Sequence, residues 1–230
     1  MKTKIIIMLA IIAFFFQNFS FVNLLDKKFL IDEPARKTHA QEILGKKYRK
    51  SALSKIEGEK FLHVYIYDIV NQRLPKKFKN KSKDITKAII QESKKYEMDP
   101  LFIMSVIATE SSFNPEAKGT SGEIGLMQLM PETGKEVAQK VKEHWQGTMT
   151  LKDPIKNIRI GAAYLNQLRN YFDNNPSKYI SAYNSGIGKI RKIAKSEDLP
   201  KIYPTKILKY YEALYKKIVS NKVPDNLAIN

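Results

Sequence analysis

The chain of 230 residues contains no cysteine. Disulfide bonds, thiolate metal sites and attachment of a lipid through an N-terminal cysteine are therefore excluded. Histidine is also scarce: His39, His63 and His144 are the three present, and they are scattered without the spacing of metal ligands. The sequence thus predicts a protein that works without a metal ion or another cofactor.

Alternating runs of β-branched residues, which are typical of strands, are nearly absent from the sequence. Hydrophobic residues make up 43% of the chain, which is enough for a core but too little for a polytopic membrane protein. The length suits one globular domain with an extension. We therefore expect a mainly α-helical domain.

The N-terminus combines a basic start, Lys2 and Lys4, with an unbroken apolar run over residues 5–16. This pattern is typical of a secretory signal, and the apolar stretch that continues to Leu25 is long enough to cross a bilayer. The small residues around Ala40 lie too far downstream for a cleavage site. We expect residues 1–25 to export the chain and to remain as a membrane anchor, with a cleaved signal peptide as the alternative.

Acidic residues are outnumbered by basic ones, and the net charge is +17. Such a charge is often a sign of nucleic-acid binding, but an exported chain would not normally meet nucleic acid, and the lysines are dispersed. The densest cluster covers residues 76–83, KKFKNKSK. It is either a solvated linker or a surface attracted to anionic lipids or to the acidic groups of a cell wall.

Charge and hydrophobic spacing divide the rest of the chain. Residues 26–82 read as an exposed basic spacer that includes one amphipathic helix at about 60–74, which packs on the following domain or on the membrane surface. Residues 83–219 carry the helical patterns of a globular domain. Residues 220–230 are expected to form a tail.

Glu110 stands out because it ends a thoroughly apolar helix. Asp99 and Pro100 provide the N-cap and the first helical position, and Ile103 and Ile107 fall on the same face as Glu110. Burial disfavours a charged carboxylate, so this side chain should keep its proton above its usual pKa. A glycosidase needs such a group as its general acid. A Glu that turns outward or pairs with a lysine is the alternative.

Four blocks of sequence follow one another from Glu110 onward. They are residues 110–117 (ESSFNPEA), 122–131 (GEIGLMQLMP), 153–165 (DPIKNIRIGAAYL) and 182–186 (AYNSG). In order and spacing they resemble the soluble lytic transglycosylase domain of the lysozyme superfamily. The resemblance extends over about residues 84–218. It implies a lysozyme-like α+β fold, here mainly α with a reduced sheet.

The resemblance also implies a reaction. A lytic transglycosylase cuts the β-1,4 bond between N-acetylmuramic acid and N-acetylglucosamine in peptidoglycan and leaves a 1,6-anhydro ring. One glutamate, here Glu110, acts as acid and then as base. Tyr183 matches the tyrosine whose hydroxyl orients that glutamate. Ser111, Met127, Gln128 and Asn184 match positions that bind the glycan strand.

The chain departs from the family pattern in three places. Gly119 stands where many members have serine, and Glu123 where a small alanine is usual. Near the C-terminus, a Glu-Thr-Arg-x-Tyr-Val block is reduced to residues 199–204, LPKIYP.

Three functions remain open at this stage. The leading one is a peptidoglycan lytic transglycosylase on the outer side of the cytoplasmic membrane. The second is a lysozyme-type muramidase that delivers water to the anomeric carbon. Such an enzyme needs another carboxylate near the cleaved bond, and Glu123 would be the first candidate to test. The third is a non-catalytic module that binds the cell wall.

Overall fold

The computed structural model describes residues 30–55, 62–193 and 199–220, and ten α-helices lie in these ranges. In chain order they are α1 (Glu33–Leu44), α2 (Leu62–Arg73), α3 (Ser82–Lys95), α4 (Pro100–Ser111), α5 (Pro131–Lys140), α6 (Thr148–Lys152), α7 (Pro154–Tyr171), α8 (Pro176–Ser185), α9 (Ile187–Ile193) and α10 (Ile202–Ser220). Short 3₁₀ helices lie at Gly45–Lys50, Ala52–Lys55 and Lys76–Lys81.

The expected mainly α-helical class is confirmed. Within the described residues the β-structure consists of isolated bridges, two of which tie Ile124 to Lys118 and to Leu129. The reduced sheet implied by the resemblance is thus a compact loop that connects α4 to α5. Backbone groups of this loop pair through the bridges and with the side chains of Gln128 and Asn157.

Helix α4 lies at the centre of the fold. Every residue from Pro100 to Ala108 is buried, because the helix is apolar on all sides and packs against α3 and α10. Helix α7 forms a second centre and packs against α3, α5, α6 and α8. Asp153 caps the start of α7, since it accepts hydrogen bonds from the backbone N–H groups of Ile155 and Lys156.

Residues 31–55 and 62–82, which were expected to belong to an exposed spacer, are instead packed into the domain. They include α1, whose Arg36, His39, Ile43 and Leu44 are buried. The sequence did not reveal this helix, because an arginine and a histidine share its buried face with Ala40, Ile43 and Leu44 and interrupt the apolar pattern. The expected boundary between residues 82 and 83 therefore does not mark an edge of packing.

Buried polar contacts join α1 to the start of α4 and to α10. Asp99 caps α4 by accepting from the backbone N–H of Leu101, and its other carboxylate oxygen accepts from the hydroxyls of Tyr211 and Tyr215 at 2.6 and 2.5 Å. Arg36 donates to the Tyr215 hydroxyl at 2.7 Å, and the backbone N–H of Asp99 donates to Nδ1 of His39. We call Arg36, His39, Asp99, Tyr211 and Tyr215 the Asp99 network.

Burial raises the pKa of Asp99, whereas the positive charge of Arg36 and the two tyrosine hydroxyls act in the opposite direction. The carboxylate of Asp99 therefore depends on two hydroxyl donors from α10 and on the positive charge of Arg36 on α1. A buried charge that loses its partner is strongly destabilising, so these contacts couple α1 to the rest of the domain.

The lysine-rich cluster at residues 76–83 is also ordered. It forms the 3₁₀ helix Lys76–Lys81 and the first turn of α3. Lys77 pairs with Glu116, and Lys79 donates to the backbone carbonyl of Asn71. The cluster is a folded part of the domain rather than a linker. The predicted helix at 60–74 is confirmed over Leu62–Arg73, and it packs on α3.

The predicted anchor at residues 1–25 and the tail after residue 220 lie outside the described residues. Within the described ranges, none of the helices combines the length and the apolar character needed to cross a bilayer.

The packing of α1 predicts how much of the chain is needed for folding. A chain that starts at Ser82 lacks Arg36 and His39 and leaves Asp99, Tyr211 and Tyr215 without their α1 partners. We expect its thermal midpoint, measured by circular dichroism, to lie about 10 °C or more below that of a chain that starts at Ile31. Equal midpoints for the two chains would show that α1 is dispensable.

Candidate active site

Glu110 lies in the last turn of α4, where the buried helix reaches the surface. The helix stops there because Ser112 and Phe113 both adopt left-handed backbone conformations, with φ of 51° and 66°. Phe113 is buried and holds the turn against the core. This ending directs the Glu110 side chain out of the core and into a cleft.

The environment of Glu110 raises its pKa from 4.5 to about 7. Burial is the largest cause, and the negative charge of Glu123 adds to it. A hydrogen bond from Tyr203 and the positive charge of Lys206 act in the opposite direction. The direction of this shift agrees with the expectation from the sequence, since burial favours the protonated form of the Glu110 carboxyl group.

Two tyrosines lie beside Glu110. The Tyr203 hydroxyl, from the first turn of α10, donates a hydrogen bond to Oε1 of Glu110. The Tyr183 hydroxyl, from α8, donates to the backbone carbonyl of Met127 at 2.8 Å. The contact with Glu110 that the family pattern predicts for Tyr183 is thus made by Tyr203 in this structure. Tyr203 belongs to the reduced block at residues 199–204, whose tyrosine was the available signal.

The loop between α4 and α5 is held in place from below by Asn157 of α7. This buried side chain accepts from the backbone N–H of Met127 at 2.8 Å and donates to the carbonyls of Ile124 and Leu151, both at 2.9 Å. Gln128 adopts a left-handed conformation and donates to the carbonyls of Ala117 and Gly125. The floor of the cleft is therefore fixed by side chains that bond to backbone groups.

Two of the residues that were expected to bind the glycan support the cleft from below. Met127 is fully buried and packs against Gly161, where a Cβ would collide with the Met127 side chain. The Ser111 hydroxyl donates to the carbonyls of Leu126 and Ile107, at 2.8 and 3.1 Å. Both side chains shape the loop, and neither presents a polar group to the cleft.

The departures at positions 119 and 123 are linked in space. Glu123 accepts from the backbone N–H of Ser121 at 3.0 Å, and its carboxylate lies over Gly119. A Cβ at position 119 would overlap the Glu123 carboxylate, so the absence of a side chain at 119 makes room for the acid at 123. The chain therefore carries a second carboxylate at the cleft where a small residue is usual.

The cleft itself encloses about 160 Å³. Four of the predicted site residues line it: Glu110, Gln128, Tyr183 and Asn184. The other lining residues are Glu123, Leu129, Met130, Thr133, Tyr164 and Gly186. A wider hollow of about 650 Å³ adjoins it and shares Thr133 and Tyr164. We call the two adjoining hollows together the groove.

This arrangement supports acid–base chemistry at a single carboxyl group. Glu110 can give a proton near neutral pH, and Tyr203 stabilises the carboxylate that results. Among the described residues, no group of three or more His, Asp or Glu side chains lies close enough together to hold a metal ion.

Comparison with known proteins gives a consistent result. The sequence model of the transglycosylase SLT domain matches residues 87–204. The chain is 37% identical over 151 residues to membrane-bound lytic murein transglycosylase C of Haemophilus influenzae, and the match covers 62% of the chain and 42% of that protein. The protein of the same name from Edwardsiella ictaluri is also 37% identical, over 145 residues, with coverages of 59% and 40%. The chain thus spans about two fifths of the length of these relatives.

Two solved structures share the fold. An inactive mutant of the lytic transglycosylase Slt from Pseudomonas aeruginosa matches with a TM-score of 0.53 and 30% identity, over 58% of this chain and 24% of that one. The 70 kDa soluble lytic transglycosylase of Escherichia coli matches with a TM-score of 0.50 and 22% identity, over 81% and 33%. The second match concerns the fold alone. With the family match covering half of the chain and including Glu110, Tyr183 and Tyr203, the chain belongs to the transglycosylase SLT domain family.

Proposed function

We propose that the protein is a peptidoglycan lytic transglycosylase. The observation that carries the proposal is the Glu110 carboxyl group, which holds a proton to about pH 7 and receives a hydrogen bond from Tyr203 in a groove shaped for an extended chain. The relatives are named lytic murein transglycosylases. The substrate is then the glycan strand of peptidoglycan, which is cut between N-acetylmuramic acid and N-acetylglucosamine.

In the first step, protonated Glu110 donates its proton to the glycosidic oxygen as the bond from that oxygen to C1 of the muramic residue breaks. The leaving sugar departs as an alcohol, and Glu110 becomes a carboxylate. The Tyr203 hydroxyl and the charge of Lys206 stabilise this carboxylate, since both favour the ionised form. Positive charge that develops at C1 is stabilised by the nearby carboxylate and by the 2-acetamido group of the substrate.

In the second step, the Glu110 carboxylate removes the proton from the 6-hydroxyl of the same muramic residue. The oxygen forms a bond to C1 and closes the 1,6-anhydro ring, and Glu110 regains its proton. Because the nucleophile belongs to the substrate, proximity replaces an activated water and a second catalytic carboxylate. A pKa of about 7 suits a group that acts once as an acid and once as a base.

The remaining cleft residues have supporting roles in this proposal. Gln128 and Asn184 line the groove and can bond the acetamide and hydroxyl groups of the sugars. Tyr183 fixes the carbonyl of Met127 and thereby the loop that carries Gln128. Ser111 and Met127 act through the shape of that loop rather than by contact with the glycan.

We further propose that the enzyme acts outside the cytoplasmic membrane and is held there by residues 1–25. Peptidoglycan is found only on that side of the membrane. The basic start and apolar run of the N-terminus support export with an uncleaved anchor, and the relatives carry the description membrane-bound.

Lysozyme-type hydrolysis is the second candidate, because the Glu123 carboxylate lies in the same cleft as Glu110. An enzyme that hydrolyses the bond needs a base to activate water or a nucleophile for C1. The Glu123 carboxylate is, however, bound to the N–H of Ser121 and lies against Gly119, which restricts its movement toward the substrate. The contacts of Glu123 therefore favour an electrostatic role, in which its charge raises the pKa of Glu110.

The first prediction tests the reaction. Purified protein should release muropeptides that are one water lighter than hydrolytic products when incubated with isolated sacculi, as measured by mass spectrometry. Glu110→Gln should lower the rate at least ~100-fold, because the amide is nearly isosteric and cannot transfer the proton. Release of hydrolytic products only would replace the transglycosylase by a muramidase, and activity of the variant within threefold of wild type would remove Glu110 from the mechanism.

The second prediction concerns Tyr203. The pKa of Glu110 in the free enzyme should appear as a fall in kcat/KM above about pH 7, because the general acid must be protonated. Tyr203→Phe removes a hydrogen bond that lowers this pKa, so the fall should move to higher pH, and the maximal rate should drop about tenfold. Tyr183→Phe is the matched control, since its hydroxyl bonds Met127, and it should leave the position of the fall unchanged.

The third prediction concerns Glu123. Glu123→Gln removes a negative charge that raises the pKa of Glu110, so the fall in kcat/KM should move to lower pH. The anhydro products should persist in this variant with rates within about tenfold of wild type. A loss of the same size as that in Glu110→Gln would assign a catalytic role to Glu123.

A further inference from the structure

A hollow of about 460 Å³ opens beside the active site at the start of α10. Its lining consists of Lys201, Ile202, Thr205, Lys206 and Lys209. Ile202 is 88% exposed, the largest exposure among the exposed large hydrophobic side chains of the described residues. We call these five residues the α10 patch. It combines three cations with an uncovered apolar side chain.

The patch is continuous with the catalytic machinery. Tyr203, whose hydroxyl bonds Glu110, follows directly after Ile202 in the first turn of α10. Lys206 lies one turn further along the helix, and its charge reaches Glu110. A molecule that occupies the α10 patch is therefore within reach of a substrate that is bound at Glu110.

Two lysines of the α10 patch, Lys201 and Lys209, are not neutralised by an acidic side chain among the described residues. In the described part of the chain, neither Lys201 nor Lys209 lies within ion-pair distance of an acidic side chain. Clustered cations that lack acidic partners attract anions to the mouth of a cleft, and the exposed Ile202 adds an apolar contact. The patch thus suits a ligand that presents carboxylates next to small apolar groups.

We propose that the α10 patch binds carboxylates on the lactyl-peptide side of the glycan strand, so that the enzyme prefers strands with these groups ionised. The proposal rests on the proposed function, because it places the glycan at Glu110. In peptidoglycan the sugar hydroxyls and acetamides are uncharged, and the acidic groups are the carboxylates of the short peptides or, where a peptide is absent, of the lactyl group. Methyl groups of alanine in the peptide would cover Ile202.

The test combines a change in the protein with a change in the substrate. The variant is Lys201→Gln/Lys209→Gln, which leaves Lys206 in place because Lys206 also affects the pKa of Glu110. The control is Lys83→Gln/Lys94→Gln, which removes the same charge from two exposed lysines of α3. The substrates are soluble peptide-bearing strands and the same strands after their carboxylates have been converted to neutral amides.

On ionised strands, the α10 variant should lose about fivefold in kcat/KM, mainly through KM, which is the scale of two exposed ion pairs. On amidated strands, the α10 variant and wild type should differ by less than twofold, and the control should match wild type on both. The difference on ionised strands should shrink at high salt, as screening requires. Equal loss on both substrates, or no loss on either, would overturn the proposal.

Strands whose peptides have been removed by an amidase identify the source of the carboxylate. If the effect persists on them, the patch binds the lactyl carboxylate, and if it disappears, the patch binds the peptide. Binding of the same strands to the Glu110→Gln variant, with and without the two lysine changes, measures recognition without turnover. If strand binding depends on the lysines but the wild-type protein yields no anhydro products, the patch is supported and the proposed function is removed.

Anionic lipid vesicles provide the competing outcome. If a chain starting at Ile31 binds phosphatidylglycerol vesicles through Lys201 and Lys209, and the variant shows no preference between ionised and amidated strands, the patch is a membrane surface and the proposal is wrong.

Discussion

The fold depends on a buried carboxylate at the start of α4, the helix that ends beside Glu110. Asp99 caps α4, and its second oxygen is held by two hydroxyls from α10, one of which is bonded by Arg36 from α1. An isolated carboxylate in that position would be costly, so the contacts among these three helices stabilise one another. Helix α4 is consequently fixed at its N-cap by groups that lie far apart in the sequence.

Helix α10 connects the surroundings of Asp99 with those of Glu110. Tyr211 and Tyr215 bond Asp99 at one end of α4, and Tyr203, two turns before Tyr211, bonds Glu110 at the other end. A rigid helix that contacts both ends of α4 sets the distance between the Tyr203 hydroxyl and the Glu110 carboxylate. Preorganised donors of this kind favour charge that develops during a reaction without a cost of reorientation.

The sequence predicted the helices that have an apolar face and the position of Glu110, because both depend on local spacing. It did not predict α1, whose buried face includes Arg36 and His39, and the burial of these two polar side chains is explained only by their partners at the start of α4 and on α10. The family pattern assigned the contact with Glu110 to Tyr183, whereas the structure gives it to Tyr203, and the sequence missed this for the same reason. Which hydroxyl reaches a carboxylate depends on the placement of helices α8 and α10, and no local pattern contains that information.

The close approach of Glu123 to Gly119 has a consequence for how this cleft can change by mutation. A side chain at 119 would overlap the Glu123 carboxylate, whereas a smaller residue at 123 would leave Gly119 without strain. Because the Glu123 carboxylate is the far end of a flexible side chain, a larger residue at 119 would push it away from the backbone N–H of Ser121. A substitution at 119 therefore changes where the second carboxylate of the cleft lies, and a substitution at 123 changes whether it is present.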